Sequence, residues 1–312
     1  MSILCISYAD EKFQMSLKLN LFTARFIGGA DCVKGYGPKD LDPVFLRSIT
    51  KVEGSERGAG FYAWKPYVIR KALKSVKYGD YVMYADAGSF YISRLSCLRN
   101  QLVNDCEDIL LSGGFAPCKD WCKRDAFVYM GCDCEQAKNA TMVSAGYVFI
   151  RKTSFSERFV DEWLKYASDE RIISDQENTC GLSNYVGFRE NRHDQTVLSI
   201  LRWKYGLRLY KSLARVDSPR MYLNIKKGGT DGYRYSWHKR VDLILNVQNS
   251  DDYKKSRYGR ILINTQARDA DRSKFIKRLL FVISDNIRKD LWAVIHEKEE
   301  LEAAKKRMER KR

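Results

Sequence analysis

The chain has 312 residues, 45% of them hydrophobic and 12% aromatic. That is enough for one large α/β domain with an extension, or for two small domains, and too apolar for global disorder. Its 55 Lys and Arg against 39 Asp and Glu give a formal net charge of +16, a field that favours polyanionic partners without choosing among nucleoside diphosphates, nucleic acid and anionic lipid. No apolar run approaches the ~20 residues that cross a bilayer, and no targeting segment precedes the first strand, so a cytoplasmic protein is expected, soluble or peripheral to the inner face of a membrane. The nine cysteines are odd in number and lack paired C-x-x-C spacing. Cys118, Cys122, Cys132 and Cys134 form only a loose cluster, so free thiols are expected, with zinc as the alternative.

In chain order, residues 3–8 read as a buried strand with Ser7-Tyr8-Ala9-Asp10 as its exit. Residues 11–28 read as a helix, stopped by Gly28-Gly29. Cys32-Val33 opens a second short strand, Gly35-Tyr36-Gly37-Pro38 has turn chemistry, and residues 40–49 form a second helix. The block Gly58-Ala59-Gly60-Phe61-Tyr62-Ala63-Trp64-Lys65-Pro66 leads into a helix running to about Val76, with Pro66 near its start, where a missing amide costs nothing.

Gly79-Asp80 then turns the chain into an apolar strand that stops on Asp86, followed at once by Ala87-Gly88. A carboxylate at the end of a buried strand is costly unless something pairs with it. A divalent cation bridging to a phosphate is one natural partner, and the small residues let a bulky ligand approach the backbone. Residues 94–104 look helical and 108–111 look like a strand. Residues 116–143 carry a Cys-rich loop and a polar helix. Residues 144–150 form another strand and 155–167 an amphipathic helix. Asn191-Arg192-His193-Asp194-Gln195 is a loop feeding a helix, with Asp194 near the N-terminus, where the dipole favours a carboxylate.

The alternation of strands and helices predicts a mostly parallel sheet with covering helices. Residues 202–240 are strongly basic, and a long amphipathic helix is expected from about residue 273. It would pack on the core, dimerise, or lie on an anionic membrane. The expected division is a domain over residues 1–250 and a basic, mainly helical extension over 251–312.

Four blocks carry a family resemblance: the first strand with Ser7-Tyr8-Ala9; Gly60-Phe61-Tyr62-Ala63-Trp64-Lys65-Pro66; Tyr84-Ala85-Asp86-Ala87-Gly88; and Arg192-His193-Asp194-Gln195 with the apolar residues after it. In order and spacing, over roughly residues 1–240, they resemble the GT-A class of nucleotide-sugar glycosyltransferases. They look most like enzymes that build bacterial capsule and O-antigen polysaccharides, and similar enzymes of large viruses. The resemblance implies a GT-A (Rossmann-like) α/β fold and a hexosyltransferase-type activity. A sugar would pass from a nucleoside diphosphate, UDP-linked by expectation, to a hydroxyl of a surface polysaccharide or lipid-linked glycan.

The resemblance also implies Mn²⁺ or Mg²⁺ held by a D-x-D motif. Here Tyr84 stands first in that motif, so Asp86 remains, with His238 as the second metal ligand. Donor contacts fall to Tyr8 (stacking on the base), Asp10, Lys65, Tyr84, Ala85, Asp86 and Lys239. Gly146, Trp64 and His193 would face acceptor or sugar, Asp194 would be the catalytic carboxylate, and Gln195 would bond sugar hydroxyls. Lys123-Arg124-Asp125 is a further donor-side patch. The residues alone leave other roles open: an ion-pair partner or cap for Asp86, an N-cap for Asp194, a snorkelling side chain for Lys65 and a solvated one for His238.

Two rival functions stand beside this one. A sugar-1-phosphate nucleotidyltransferase would need a Gly-rich loop with a basic residue after strand one, where Ser7-Tyr8-Ala9-Asp10 stands. A basic nucleic-acid-binding protein would use the net charge but leaves Asp86 and the Asp194-Gln195 block without a purpose, so no specific nucleic acid partner is expected.

Overall fold

Continuous apolar runs make the central strands. Strand β1 (Ile3–Tyr8) is buried at every position, as strands covered on both faces are. In the computed structural model, which describes residues 1–216 and 261–264, β1 lies between β2 (Cys32–Tyr36) and β3 (Tyr81–Ala85), parallel to both. The other strands are β4 (Ser89–Tyr91), β5 (Ile109–Pro117), β6 (Thr141–Arg151), β7 (Leu209–Tyr210), β8 (Ala214–Val216) and β9 (Leu262–Asn264). The main sheet has the order β2-β1-β3-β6-β5-β7. Only β6 runs against its neighbours β3 and β5, while β7 is parallel to β5. The sheet is therefore mostly parallel, as expected.

The helices in chain order are α1 (Gln14–Phe26), α2 (Pro43–Thr50), α3 (Gly58–Phe61), α4 (Trp64–Ser75), α5 (Ser96–Asp105), α6 (Arg124–Tyr129), α7 (Glu135–Asn139), α8 (Ser154–Ala167), α9 (Glu170–Ile173) and α10 (Asp194–Lys204). Alternate residues of β1 feed two cores, as the strand period requires. Leu4, Ile6 and Tyr8 join the α4, α8 and α10 side. Ile3 and Cys5 join the opposite side, with Ala24 of α1 and Leu98 and Leu102 of α5. The helix after β1 and the helix before β3 thus cover opposite faces. The chain steps outward from β1 to β2 and then returns past β1 to β3. The strand order switches direction between the carboxyl ends of β1 and β3, the place where open α/β sheets bind their ligands.

Four expectations shift. Residues 11–13 form a separate 3₁₀ turn capped by Asp10, and α1 begins at Gln14. Strand β5 is nine residues long, and β6 begins at Thr141, inside the stretch read as a Cys-rich loop. A second sheet, β4-β9-β8, buries Ile261 and Leu262 completely, so the packed unit includes residues past the boundary expected at 250. His238, Lys239, most of the basic segment and the residues expected to form a long C-terminal helix lie outside the described residues. All nine cysteines are unpaired. No helix among the described residues is long and apolar enough to cross a membrane.

Candidate active site

Strand β3 ends at the switch point and delivers Asp86 there. The Asp86 amide donates to the Gly146 carbonyl at 3.0 Å. The Tyr84 hydroxyl, two residues back and fully buried, donates to Asp86 Oδ1 at 2.7 Å. Lys65, the second residue of α4, reaches the same oxygen at 3.5 Å and Asp194 Oδ2 at 3.0 Å. Its ammonium lies 5.3 Å from the centre of the Tyr62 ring and 5.5 Å from that of Tyr84, within range of favourable cation–π attraction. One cation therefore bridges two carboxylates. The Asp86 side chain is 39% exposed, whereas those of Lys65 and Asp194 are 5% and 4% exposed.

The electrostatics follow from that geometry. Burial pushes the Asp194 carboxyl up to about 6, although the Lys65 charge pulls the other way. Burial works against the charged form of Lys65, but Asp194 and then Asp86 outweigh it and hold its pKa above the ordinary lysine value. Burial first, and the Asp86 charge second, push the Tyr84 phenol well up, so it stays a donor. A carboxyl whose pKa rises on folding stabilises the fold below its unfolded pKa, near 4, and loses that contribution as pH rises through the folded value. Relative to Asp194→Asn, the wild type is expected to lose stability between about pH 4 and about pH 6. Urea unfolding of both proteins across that range checks the sign, and a flat difference would refute the assignment.

The backbone leading into α4 is strained. Gly58, Ala59, Gly60, Phe61 and Tyr62 all have positive φ, from 49° to 96°. Left-handed geometry costs L-residues roughly 1–2 kcal/mol each and is seldom adopted in succession. The turn is pinned by Trp64 Nε1 donating to the Gly58 carbonyl at 2.8 Å. The Phe61 ring packs 4.9 Å from that of His193, itself at φ 53° and ψ −120°. Four of the five non-glycine residues with positive φ among the described residues thus lie in this turn or at His193, the residue before Asp194. Such strain persists only where the surroundings over-determine it. A Cβ on Gly60 would sit 2.8 Å from Ile49 Cγ1 at φ +96°. Gly60→Ala is expected to cost about 2–3 kcal/mol, read as a fall in thermal midpoint.

Of the residues expected at the site, the structure brings Lys65, Tyr84, Asp86, Gly146 and Asp194 together, while Ala85 is buried in the core on the opposite face of the sheet. Others take different roles. Tyr8, expected to stack on a base, is 6% exposed and stacks instead on Trp64, with ring centres 3.8 Å apart. Trp64 is buried by the same contact. Asp10 caps the turn after β1, accepting from the Lys12 amide at 2.9 Å. His193 is buried, with Nδ1 2.8 Å from the Ile173 carbonyl, so it braces the loop rather than facing an acceptor. Lys65, read as a phosphate or sugar contact, lies among the rings of Tyr62, Trp64 and Tyr84. Asp194, read as the catalytic carboxylate, touches Lys65 and is closed to bulk ligand. Gln195 is half-buried at the start of α10.

The Lys123–Asp125 patch is structural. Asp125, 0% exposed, accepts from the Thr179 amide at 2.9 Å and the Cys180 amide at 2.8 Å. Lys123 Nζ lies 3.4 Å from Asp125 Oδ2 and donates to the Gln176 carbonyl at 2.8 Å. The pair fastens the loop that leads into His193 and Asp194. Sequence reasoning missed the left-handed turn, for which Gly58-x-Gly60 was the one available signal, and the hydroxyl of Tyr84 as an anchor for Asp86.

No protein-family profile matches the chain, and no curated protein does. Solved structures are similar to it in outline. Mouse xyloside xylosyltransferase 1 in its apo form shares 11% identity over 85% of this chain and 97% of that chain, with a TM-score of 0.41. The bifunctional glycosyltransferase WbbM, also apo, shares 9% identity over 85% of this chain and 46% of that one, at 0.44. The galactosyltransferase LgtC, in complex with donor and acceptor sugar analogues, shares 12% identity over 85% and 87%, at 0.41. Overlaps this loose leave the chemistry to be read from the site's own residues.

Proposed function

We propose that the chain is a glycosyltransferase that moves a sugar from a nucleoside diphosphate, UDP by expectation, to a hydroxyl of a surface polysaccharide or lipid-linked glycan. The observation that carries this reading is Asp86 at the sheet's switch point, half-exposed and fixed by Tyr84 and Lys65, with glycine beneath it. In glycosyl transfer the acceptor hydroxyl attacks the anomeric carbon and loses a proton, while the departing diphosphate gains charge. Asp86 is the carboxylate placed to hydrogen-bond the donor sugar or take that proton. Lys65 and Asp194 are positioning residues that hold it. The positive field of the chain, net +16, draws in the anionic donor.

Asp86 is the one residue expected to hold Mn²⁺ or Mg²⁺ that the structure describes, since His238 lies outside the described residues. Among them no three His, Cys, Asp or Glu side chains converge. Asp86 Oδ1 already accepts from Tyr84 and faces the Lys65 ammonium. No step is therefore assigned to a metal.

Incubation with radiolabelled UDP-, GDP- and CDP-sugars, read as free sugar or glycan product, tests the reading. Turnover of one donor is expected, falling at least ~100-fold in Asp86→Asn with the fold intact. Absence of both binding and turnover across the panel would sink the proposal. A Cβ on Gly146 would sit 2.8 Å from Asp86 Oδ2, so Gly146→Ala is expected to push the carboxylate aside and cut kcat/KM about tenfold or more while barely moving the thermal midpoint. Steady-state kinetics of that variant decide it.

A further inference from the structure

We infer that the outer face of α1 docks the chain on an anionic lipid bilayer. The inference goes beyond the sugar-transfer reading and stands or falls without it, because binding to a vesicle needs no nucleotide.

Three observations lead to it. First, α1 is apolar on the side turned away from the fold. Its buried residues are Ser16, Leu17, Asn20, Thr23 and Ala24. Phe22 and Phe26 stand on the other side, 58% and 64% exposed, with ring centres 4.7 Å apart. Half-buried Leu19 continues their row at helical spacing, and Ile27, 41% exposed, follows at the helix end. Exposed phenyl rings gathered in this way mark an interaction surface, unlike a single scattered apolar residue. Second, the charge beside the row has one sign. Helix α1 contains no Asp or Glu, and its two charged residues, Lys18 and Arg25, are exposed and seven positions apart, so they form one flank of the row. The Arg94 side chain lies just past the helix, where a Cβ on Gly29 would sit 2.8 Å from its Nη1. The nearest acids in sequence are Glu11, in the turn before the helix, and Asp31, whose carboxylate accepts from the Ile3 amide at 2.8 Å. Aromatic and aliphatic side chains bordered by Lys and Arg are what a helix in the interface of an anionic membrane presents. Third, charge disfavours the other occupants. A second copy packed on this face about a twofold axis brings Lys18 and Arg25 against a flank of the same sign. Residues 265–312 carry 14 Lys and Arg against nine Asp and Glu, so they too meet it with like charge. A sheet of phosphate headgroups over acyl chains accepts both the rings and the cations.

The place of the helix ties this face to the site. On its buried side the Asn20 side chain donates to the Asp86 carbonyl at 3.3 Å and to the Ser89 carbonyl at 2.8 Å. Thr23, one turn on, accepts from the Tyr91 amide at 3.0 Å. A bilayer against Phe22 and Phe26 therefore lies about one helix diameter, ~10 Å, from the turn that carries Asp86. The carboxylate is held at a short, fixed height over the headgroups, within reach of a glycan carried on a lipid. Two rings and a few cations give reversible attachment, far weaker than that of a spanning helix.

Flotation of the full chain with vesicles tests this. Phosphatidylcholine vesicles containing about 30% phosphatidylglycerol are expected to carry the wild type upward at ~0.15 M salt, and vesicles of phosphatidylcholine alone to carry far less. Phe22→Ser/Phe26→Ser is expected to weaken binding to the anionic vesicles at least ~10-fold with an unchanged thermal midpoint. Lys18→Glu is expected to weaken it about tenfold. Lys74→Glu makes the same charge change at an exposed position of α4, which covers the opposite face of the sheet, and is expected to stay within about twofold of the wild type. Binding of the double phenylalanine variant equal to wild type overturns the inference, since charge elsewhere in the chain then holds the lipid. Failure of the wild type to float with the anionic vesicles overturns it as well. So does a dimer in light scattering that the double variant dissolves, which gives the face to a second copy. A thermal midpoint that falls by several degrees in the double variant gives the face to residues 265–312 and overturns it too. Each of these outcomes leaves the nucleotide-sugar reading as it stands.

Discussion

Lys65→Met is expected to destabilise the fold by about 3 kcal/mol at neutral pH, and Asp194→Asn added to it is expected to restore much of that loss. Removing one partner of a buried ion pair leaves a charge without compensation, at a cost of roughly 3–5 kcal/mol. Lys65 and Asp194 meet that condition, with side chains 5% and 4% exposed. Asp194 has an escape. Its carboxyl already sits at about 6 with the ammonium beside it, so without the ammonium it takes up a proton at pH 7, which keeps the loss near the lower figure. Asp86 adds little, because its exposed side chain is screened by water. Chemical denaturation of the two single variants, the double variant and the wild type forms a complete cycle. Additive losses would show that the pair is not coupled and would remove the basis for calling Asp194 a positioning residue.

Asp125→Ala is expected to be comparably severe for a different reason. Its carboxylate accepts from the amides of Thr179 and Cys180 and the hydroxyl of Thr179, all from one loop. Burial alone would raise its pKa, but the Thr179 and Cys180 bonds prevail and hold it below the ordinary value. A carboxyl depressed on folding stabilises above its unfolded pKa, near 4, and that contribution disappears as pH falls through the folded value. Alanine also strands Lys123, which is 2% exposed. A loss of about 3–5 kcal/mol is expected, together with faster proteolysis around Val186, which is 97% exposed. Cleavage and denaturation rates equal to wild type would show that the clasp contributes nothing.

Much of this arrangement was legible one residue at a time. Asp86 stood out because an apolar strand ended on it, and that end is at the sheet's switch point. Lys65 and Asp194 were also singled out, yet separately, as a phosphate contact and a base. Nothing in the spacing of positions 65, 86 and 194 reveals that they meet. That depends on α4 and α10 packing on the same face of the sheet. Tyr8 misled for a related reason. A strand-end tyrosine looks available for stacking until a tryptophan from another element covers it. The Lys123–Asp125 pair misled because sequence carries no burial, and a charged patch on a surface reads the same as a clasp beneath a loop. The left-handed turn was hidden because Phe61 and Tyr62 give no local sign of positive φ, whereas Gly58 and Gly60 do.

The second sheet has a consequence for biosynthesis. Ser89, three residues beyond Asp86, pairs with Asn264, and Leu262 pairs with Tyr91 on one side and Ala214 on the other. Contacts between such distant positions form late, since the intervening loop must close first. On the ribosome, β4 and β8 therefore emerge with bare edges and wait for β9, which joins them only when position 264 has cleared the exit tunnel. Until then the nascent chain carries two open strand margins close to Asp86, a state in which premature termination favours aggregation over a folded protein.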